Sequence, residues 1–95
     1  MKWLDALNDA AQARVTIALE RLECGNLSSI KSAGAGVLEL RIDFGPGYRI
    51  YFGWDGDELV ILLAGGSKKR QQADIERAKE LWREFKVRKR EGRWR

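Results

Sequence analysis

Two residue types that often carry chemistry are scarce, because the 95-residue chain has no histidine and a single cysteine, Cys24. Without histidine, the Ser-His-Asp and Cys-His forms of catalysis and any histidine-based ribonuclease mechanism are excluded. One cysteine cannot form an internal disulfide, and it leaves no plausible set of metal ligands. The sequence therefore predicts a cytoplasmic protein without metal or cofactor, whose chemistry must come from Lys, Arg, Tyr, Asp or Glu.

Long apolar runs and complete nucleotide-binding motifs are also missing. The longest apolar run, LVILLAGG, is far shorter than the roughly 20 residues that span a bilayer, and MKWLDALNDA has no signal-peptide core. GAG and GPG lack the third glycine of a dinucleotide fingerprint, and GGSKK lacks the upstream glycine of a phosphate-binding loop. We therefore expect no membrane association and assign the glycines to turns.

The positive charge of the chain is unevenly distributed. Residues 1–67 contain six Lys or Arg and nine Asp or Glu, whereas residues 68–95 contain twelve and five. The C-terminal segment is therefore strongly basic, although the whole chain carries a formal charge of only +4. Such an asymmetry predicts an anionic partner, such as nucleic acid, and does not bear on the fold.

The length and the 44% hydrophobic content predict one domain over residues 1–95. Apolar residues at helical spacing predict a helix over residues 9–24, with Asp9 as N-cap and Gly25 just after its end. The preceding KWLDALN predicts a short helical turn, so that the two form a helical hairpin packed on a sheet. The Gly- and Ser-rich residues 25–36 predict a loop.

Three antiparallel strands are predicted for the middle of the chain. VLELRIDF alternates apolar and polar residues, and GPG and DG mark the turns to YRIYFGW and ELVILLA. A three-residue first turn would place Arg41 opposite Tyr51 and Asp43 opposite Arg49 on the polar face. ELVILLA is apolar on both faces, so we expect it inside the sheet with cover on both sides.

A C-terminal helix completes the predicted α+β fold. QQADIERAKELWREFKVRK has a basic outer face and repeats apolar residues at helical spacing. These apolar residues are Ile75, Ala78, Trp82 and Phe85. Residues 89–95 are expected to fray as a basic tail.

One face and one end of the predicted sheet gather cations from three separate segments. These are Arg41, Arg49, Lys68, Lys69 and Arg70, with Tyr51 beside them. A structural interpretation pairs Arg49 with Asp43. It pairs Arg41 with Glu39 or Glu58. A functional interpretation places an anion among the cations, because clustered like charges repel one another, and a phosphodiester is the natural candidate.

The series GVLELRIDFGPGYRIYF…DELVILLAGGSKKRQQADIERAKELWREFK resembles the RelE/ParE toxin superfamily, and most of all the HigB-type (Gp49-like) addiction module killer proteins. The resemblance covers about residues 3–88. It implies a small RelE-like α+β fold and the toxin of a bacterial type II toxin–antitoxin system. Its implied partner is an antitoxin, a helix-turn-helix protein encoded downstream. Many superfamily members cleave messenger RNA in the ribosome, so ribosome and mRNA are further implied partners.

The resemblance also implies roles for individual residues. Arg49 in GYRIYF matches the family arginine at the scissile phosphate, and Arg41 in ELRI matches a basic position of the preceding strand. Lys68 or Lys69 matches the basic residue after the last strand. Metal-free RNA cleavage needs a base for the 2′-hydroxyl, cations for the developing dianion and an acid for the leaving oxygen. The arginines would supply the cations, a lysine the base, and Tyr51 is the candidate acid.

Arg70 of this cluster and three residues of the C-terminal helix are expected to bind RNA phosphates. They are Arg70, Lys86, Arg88 and Lys89.

Two departures from the family pattern leave alternatives open. RelE-type relatives place a tyrosine or histidine where this chain has QQADI, and family members begin with an additional strand before the Trp-Leu helix, whereas this chain starts at MKW. The alternatives are a ParE-like inhibitor of DNA gyrase that cuts nothing, and a decayed toxin that only binds its antitoxin.

Overall fold

The computed structural model describes residues 7–45, 47–65 and 68–92. The elements in chain order are helix α1 (Asp9–Glu23), strands β1 (Ile30–Gly34), β2 (Val37–Ile42), β3 (Tyr48–Asp55) and β4 (Glu58–Gly65), a 3₁₀ turn (Lys68–Arg70) and helix α2 (Gln71–Arg90). The predicted α+β class is therefore confirmed. The helical turn predicted ahead of α1 lies, up to residue 6, outside the described residues.

Helix α1 begins where the sequence predicts it but has a different N-cap. The Asn8 side chain accepts a hydrogen bond of 2.9 Å from the backbone N–H of Ala11, so Asn8 is the N-cap and not Asp9. Asp9 is instead the first helical residue, where its negative charge interacts favourably with the helix dipole. The buried residues Ala11, Val15 and Leu22 define the face that packs on the sheet.

Within residues 7–45, 47–65 and 68–92 the sheet has four antiparallel strands in the order β1-β2-β3-β4, so the predicted count of three is wrong. The additional strand, β1, lies in the stretch that the sequence predicts as a loop. Ile30 pairs with Leu40, and Lys31 pairs with Glu39. Ser, Lys and Gly give β1 no clear alternation, and its conformation is set by pairing with β2, because strand propensity depends strongly on tertiary context.

The register between β2 and β3 differs by two residues from the prediction. Arg41 pairs with Arg49 and Glu39 pairs with Tyr51, so the predicted partners Tyr51 for Arg41 and Asp43 for Arg49 are wrong. β2 ends at Ile42 and β3 begins at Tyr48, which leaves a connection longer than three residues. A shift of two keeps every side chain on its predicted face and changes only its neighbours.

Both faces of the sheet are covered. One face packs with α1 in a cluster formed by Val15, Leu22, Leu40, Ile42, Ile50 and Phe52. The other packs with α2 in a cluster formed by Val37, Tyr51, Ala78, Trp82 and Phe85. The polar face of β2 is therefore not a solvent face.

Strand β4 is the outermost strand of the described sheet, so the prediction that it lies inside the sheet is wrong. Its apolar character on both faces has another cause. Leu59 and Ala64 pack against the cluster on the α1 side, whereas Val60 and Leu63 pack against the cluster on the α2 side. The predicted cover on both faces comes from the two helices.

Helix α2 confirms the predicted stripe, with Ala78, Trp82 and Phe85 buried. The indole of Trp82 lies against Gly53, where a Cβ atom would come within 2.8 Å of the ring, so a glycine is needed for this close approach. The predicted tail starts at residue 89, but α2 runs to Arg90 and Lys89 forms an ion pair with Asp55. Residues 93–95 of that tail lie outside the described residues. No helix in the described ranges is long and apolar enough to cross a membrane.

Candidate functional site

The candidate site lies on the sheet face that packs against α2. Two rows of cross-strand partners define it. In the first row Arg41, Arg49 and Gly65 are successive partners on β2, β3 and β4. In the second row Glu39 on β2 is the partner of Tyr51 on β3. Regular backbone pairing therefore fixes the spacing of these polar side chains.

Arg49 is nearly buried, with 9% of its surface exposed. Its Nε lies 3.4 Å from Oε1 of Glu39, and the two side chains are 11% and 5% exposed. The structural interpretation of the sequence, an ion pair with Asp43, is therefore wrong in its partner. The two-residue register shift moves Asp43 beyond the ladder and leaves Glu39 diagonally across from Arg49.

Glu39 is held from the helix side as well. Nε2 of Gln71 donates a hydrogen bond of 3.1 Å to Oε2 of Glu39. Gln71 is the first residue of α2 and follows directly after the 3₁₀ turn, Lys68–Arg70. The sequence analysis missed both Glu39 and Gln71 as site residues. The sequence contained a signal for Glu39. It stands two residues before Arg41 in ELR, and residues two apart in a strand lie on the same face of the sheet.

The guanidinium of Arg49 keeps part of its binding capacity. Nε is its nearest atom to Glu39, and this contact is an ion pair without a hydrogen bond. Its terminal nitrogens also donate no hydrogen bond to the described residues. A guanidinium whose terminal nitrogens are not bonded to the described residues presents a planar pair of donors, a geometry that matches two oxygens of a phosphate or carboxylate. The arrangement can therefore bind an oxyanion in a defined orientation.

Tyr51 is fully buried beside this pair, and its hydroxyl has no hydrogen-bond partner among the described residues. Burial raises the pKa of Tyr51 to about 12, with further increases from the Glu39 and Asp74 carboxylates and an opposing effect of Arg49. The phenol is therefore neutral at physiological pH. It can donate a proton or a hydrogen bond, but it is not a base.

Arg41 is exposed and forms no ion pair with a described residue, so its predicted pairing with Glu39 or Glu58 is wrong. It lines a cavity of about 390 Å³ together with Lys31, Glu39 and Asp43. Like charges directly opposite in a sheet are destabilising. The Arg41–Arg49 pair is therefore an arrangement that a bound anion would stabilise.

The exposed Lys68, Lys69 and Arg70 form the 3₁₀ turn at the same end of the sheet. β4 ends at Gly65, the partner of Arg49, and three residues of chain extend at most about 10 Å. The structure therefore brings the cations of three segments to one end of the sheet, as the sequence predicts.

The other predicted RNA contacts lie elsewhere. Lys86, Arg88 and Lys89 are in the last turns of α2, and 15 or more helical residues separate them from the 3₁₀ turn, about 25 Å along the axis. Lys89 contacts Asp55 at the opposite end of β3. These residues are not part of the Arg49 site, and their contact with RNA stays a prediction.

The described residues form an α+β fold in which a four-stranded antiparallel sheet lies between α1 and α2, with a cation cluster at one sheet end. The chain belongs to the family of phage-derived Gp49-like proteins (DUF891), whose model matches residues 2–83. This family is associated with toxin–antitoxin modules, which implies an antitoxin partner.

A protein of Haemophilus influenzae (strain ATCC 51907 / DSM 11121 / KW20 / Rd), described as "Uncharacterized protein", is 47% identical over 84 residues. The aligned region covers 87% of this chain and 85% of that protein. No solved structure matches the chain.

Proposed function

We propose that this chain is the toxin of a type II toxin–antitoxin pair and that it cleaves messenger RNA in the ribosome without a metal ion, in the manner of HigB-type and RelE-type toxins. The observation that carries the proposal is the Arg49–Glu39 pair. Arg49 is nearly buried, and its Nε contacts Glu39 in an ion pair without a hydrogen bond. Its terminal nitrogens have no hydrogen-bond partner among the described residues. Family membership supports the toxin role, and this pair supports a phosphate as the ligand.

In the proposed reaction the scissile phosphate lies between Arg49 and Arg41. The 2′-oxygen forms a bond to phosphorus while its proton passes to a base, and the bond from phosphorus to the 5′-oxygen breaks as that oxygen takes up a proton. Two negative charges develop on the phosphorane, and the two guanidinium groups stabilise them. Lys68 or Lys69 is the candidate base. Tyr51 is the candidate acid, a role that requires its buried hydroxyl to become accessible to the leaving oxygen.

Preorganisation is the physical advantage of this arrangement. A mobile surface arginine must lose side-chain entropy when it binds the transition state, whereas burial and Glu39 already restrict Arg49. A cation that needs little reorganisation stabilises developing charge more than a mobile one. Arg70 at the rim of the site would bind a flanking phosphate.

The test compares Arg49→Lys and Arg49→Ala with Arg77→Ala, a control on the outer face of α2. Each variant is induced in growing bacteria at matched soluble expression, and new messenger 5′ ends are mapped by primer extension. We expect codon-phased ends for the wild type and for Arg77→Ala, and a loss of about 10²-fold in both Arg49 variants. Lysine should restore little, because it is a point charge without the bidentate fork.

Other outcomes identify the alternatives. Full toxicity of Arg49→Ala would contradict the assignment of this site. Intact messages together with gyrase-dependent DNA breaks would identify a ParE-like inhibitor. A wild-type chain that binds antitoxin but neither slows growth nor cuts RNA would be a decayed toxin.

A further inference from the structure

The basic residues of α2 fall into two sets. Four have a carboxylate partner, in the pairs Arg77–Glu80, Lys79–Glu76, Arg88–Glu84 and Lys89–Asp55. The remaining three have no carboxylate partner in the described chain. They are Arg83, Lys86 and Arg90.

The three unpaired cations form one stripe beside a groove. Their spacing of three and four residues places them on the same side of α2 over about 10 Å. All three line an open groove of about 650 Å³ between the C-terminal half of α2 and the end of β3, here called the α2 groove. Its apolar lining is supplied by Trp54, Trp82, Phe85 and Val87.

This combination defines the chemistry of an occupant. Like charges three or four residues apart on a helix repel one another, and anionic groups placed along the stripe would remove that cost. Trp54 and Val87 are only half-buried, so a nonpolar group that covers them is stabilised. The occupant is therefore apolar on the side that enters the groove and acidic on the side that faces Arg83, Lys86 and Arg90.

We propose that the α2 groove binds an acidic amphipathic helix of the antitoxin, an inference that rests on the toxin role proposed above. An amphipathic helix laid along α2 presents carboxylates at intervals of three and four residues, which matches the stripe. Its apolar side chains enter the groove beside Trp54 and Val87. This is the helix-in-groove mode of recognition.

Two rings of the groove, Trp82 and Phe85, are buried, which favours a protein occupant over RNA. Phe85 stacks on Trp82 at 5.3 Å with 4° between the planes, and the ammonium of Lys86 lies 5.6 Å from the Trp82 ring centre. Trp54 packs edge-on against Phe52 at 6.0 Å. An unpaired base needs an open aromatic face for stacking, whereas aliphatic side chains need only apolar surface. Lys86, predicted from the sequence as an RNA contact, is thereby assigned to the antitoxin surface.

The experiment uses the full chain and the product of the adjacent small reading frame. The groove variant Arg83→Glu/Arg90→Glu is compared with Arg77→Glu/Lys79→Glu, which changes the net charge equally on the same helix but outside the groove. We expect the groove variant to weaken antitoxin binding by at least about 10-fold and the control by less than about threefold. Melting temperatures check that both variants fold.

A photo-crosslinking residue at position 83, with position 77 as its control, gives a second measurement in an otherwise unaltered chain. A cross-link from 83 to the antitoxin supports the proposal. A cross-link from 83 to ribosomal RNA, equal weakening by both variants, or no complex with the wild-type chain overturns it. Both experiments measure binding to the antitoxin. The inference about the α2 groove can therefore hold even if Arg49→Ala remains toxic and the proposed nuclease site fails.

Discussion

Arg41 on β2 and Arg49 on β3 are direct cross-strand partners, so two cations oppose each other near one end of the β2–β3 ladder. Such a pair is destabilising by itself. Glu39 forms an ion pair with Arg49 and offsets one of the two charges, whereas Arg41 stays exposed at the cavity. The site therefore retains one uncompensated positive charge beside an oriented guanidinium, which is the arrangement expected for an anionic ligand.

Replacing Glu39 tests whether it holds Arg49. Glu39→Gln keeps the size of the side chain and an acceptor for Gln71, but it leaves the nearly buried guanidinium without a countercharge. We expect the free energy of unfolding to fall by about 3 kcal/mol, measured by urea denaturation. The control Glu80→Gln breaks an exposed pair with Arg77 and should cost less than about 1 kcal/mol. Equal losses for the two variants would show that Glu39 does not hold Arg49.

The pKa of Tyr51 predicts a loss of stability in alkali. The pKa is about 12 in the folded chain and near 10 in the unfolded chain, so the folded state binds more protons between these values. Stability should be constant below pH 10 with respect to this group and should fall by about 2 to 3 kcal/mol between pH 10 and 12. The difference between wild type and Tyr51→Phe, measured by urea denaturation from pH 8 to 12, isolates this effect.

The same variant tests Tyr51 as an acid. The buried hydroxyl has no partner among the described residues, so Tyr51→Phe should change stability at pH 7 by less than about 1 kcal/mol. A drop in RNA cleavage of more than about 10-fold, with folding intact, would identify the hydroxyl as the proton donor. Unchanged cleavage would remove Tyr51 from the reaction.

Gly53 should be intolerant of a side chain. A Cβ atom at this position would lie 2.8 Å from three atoms of the Trp82 ring, which is buried and packed against Phe85. Gly53→Ala should destabilise the chain by about 1 to 3 kcal/mol through overpacking. The smaller ring of Trp82→Phe should recover part of that loss in the double variant, and strictly additive losses would argue against the contact.

The 3₁₀ turn should contribute to ribosome affinity through its charge. Neutralising Lys68, Lys69 and Arg70 together should reduce the slope of log affinity against log salt concentration by about 2 to 3. The control Arg77→Ala/Lys79→Ala removes two cations that already have carboxylate partners, so its slope should change by less than about 1. Similar slopes for both variants would place ribosome binding elsewhere on the chain.

The sequence by itself determined the features that depend on periodicity and local turn chemistry. The apolar stripe of Ala78, Trp82 and Phe85 identified α2, and the alternation of VLELRIDF identified β2 and its faces. The clustering of cations at one sheet end also followed from the sequence, because strand order and face are set by alternation and short turns.

Only the tertiary structure decided which residues meet. The longer β2–β3 connection moved the register by two, which replaced Asp43 by Glu39 as the partner of Arg49, and no local pattern encodes that length. Pairing with β2 turned a Ser- and Gly-rich stretch into β1. The α2 groove and its three unpaired cations depend on how the helix packs against the end of β3. Register, burial and ion pairing arise from contacts between distant segments, so they are fixed only when the chain folds.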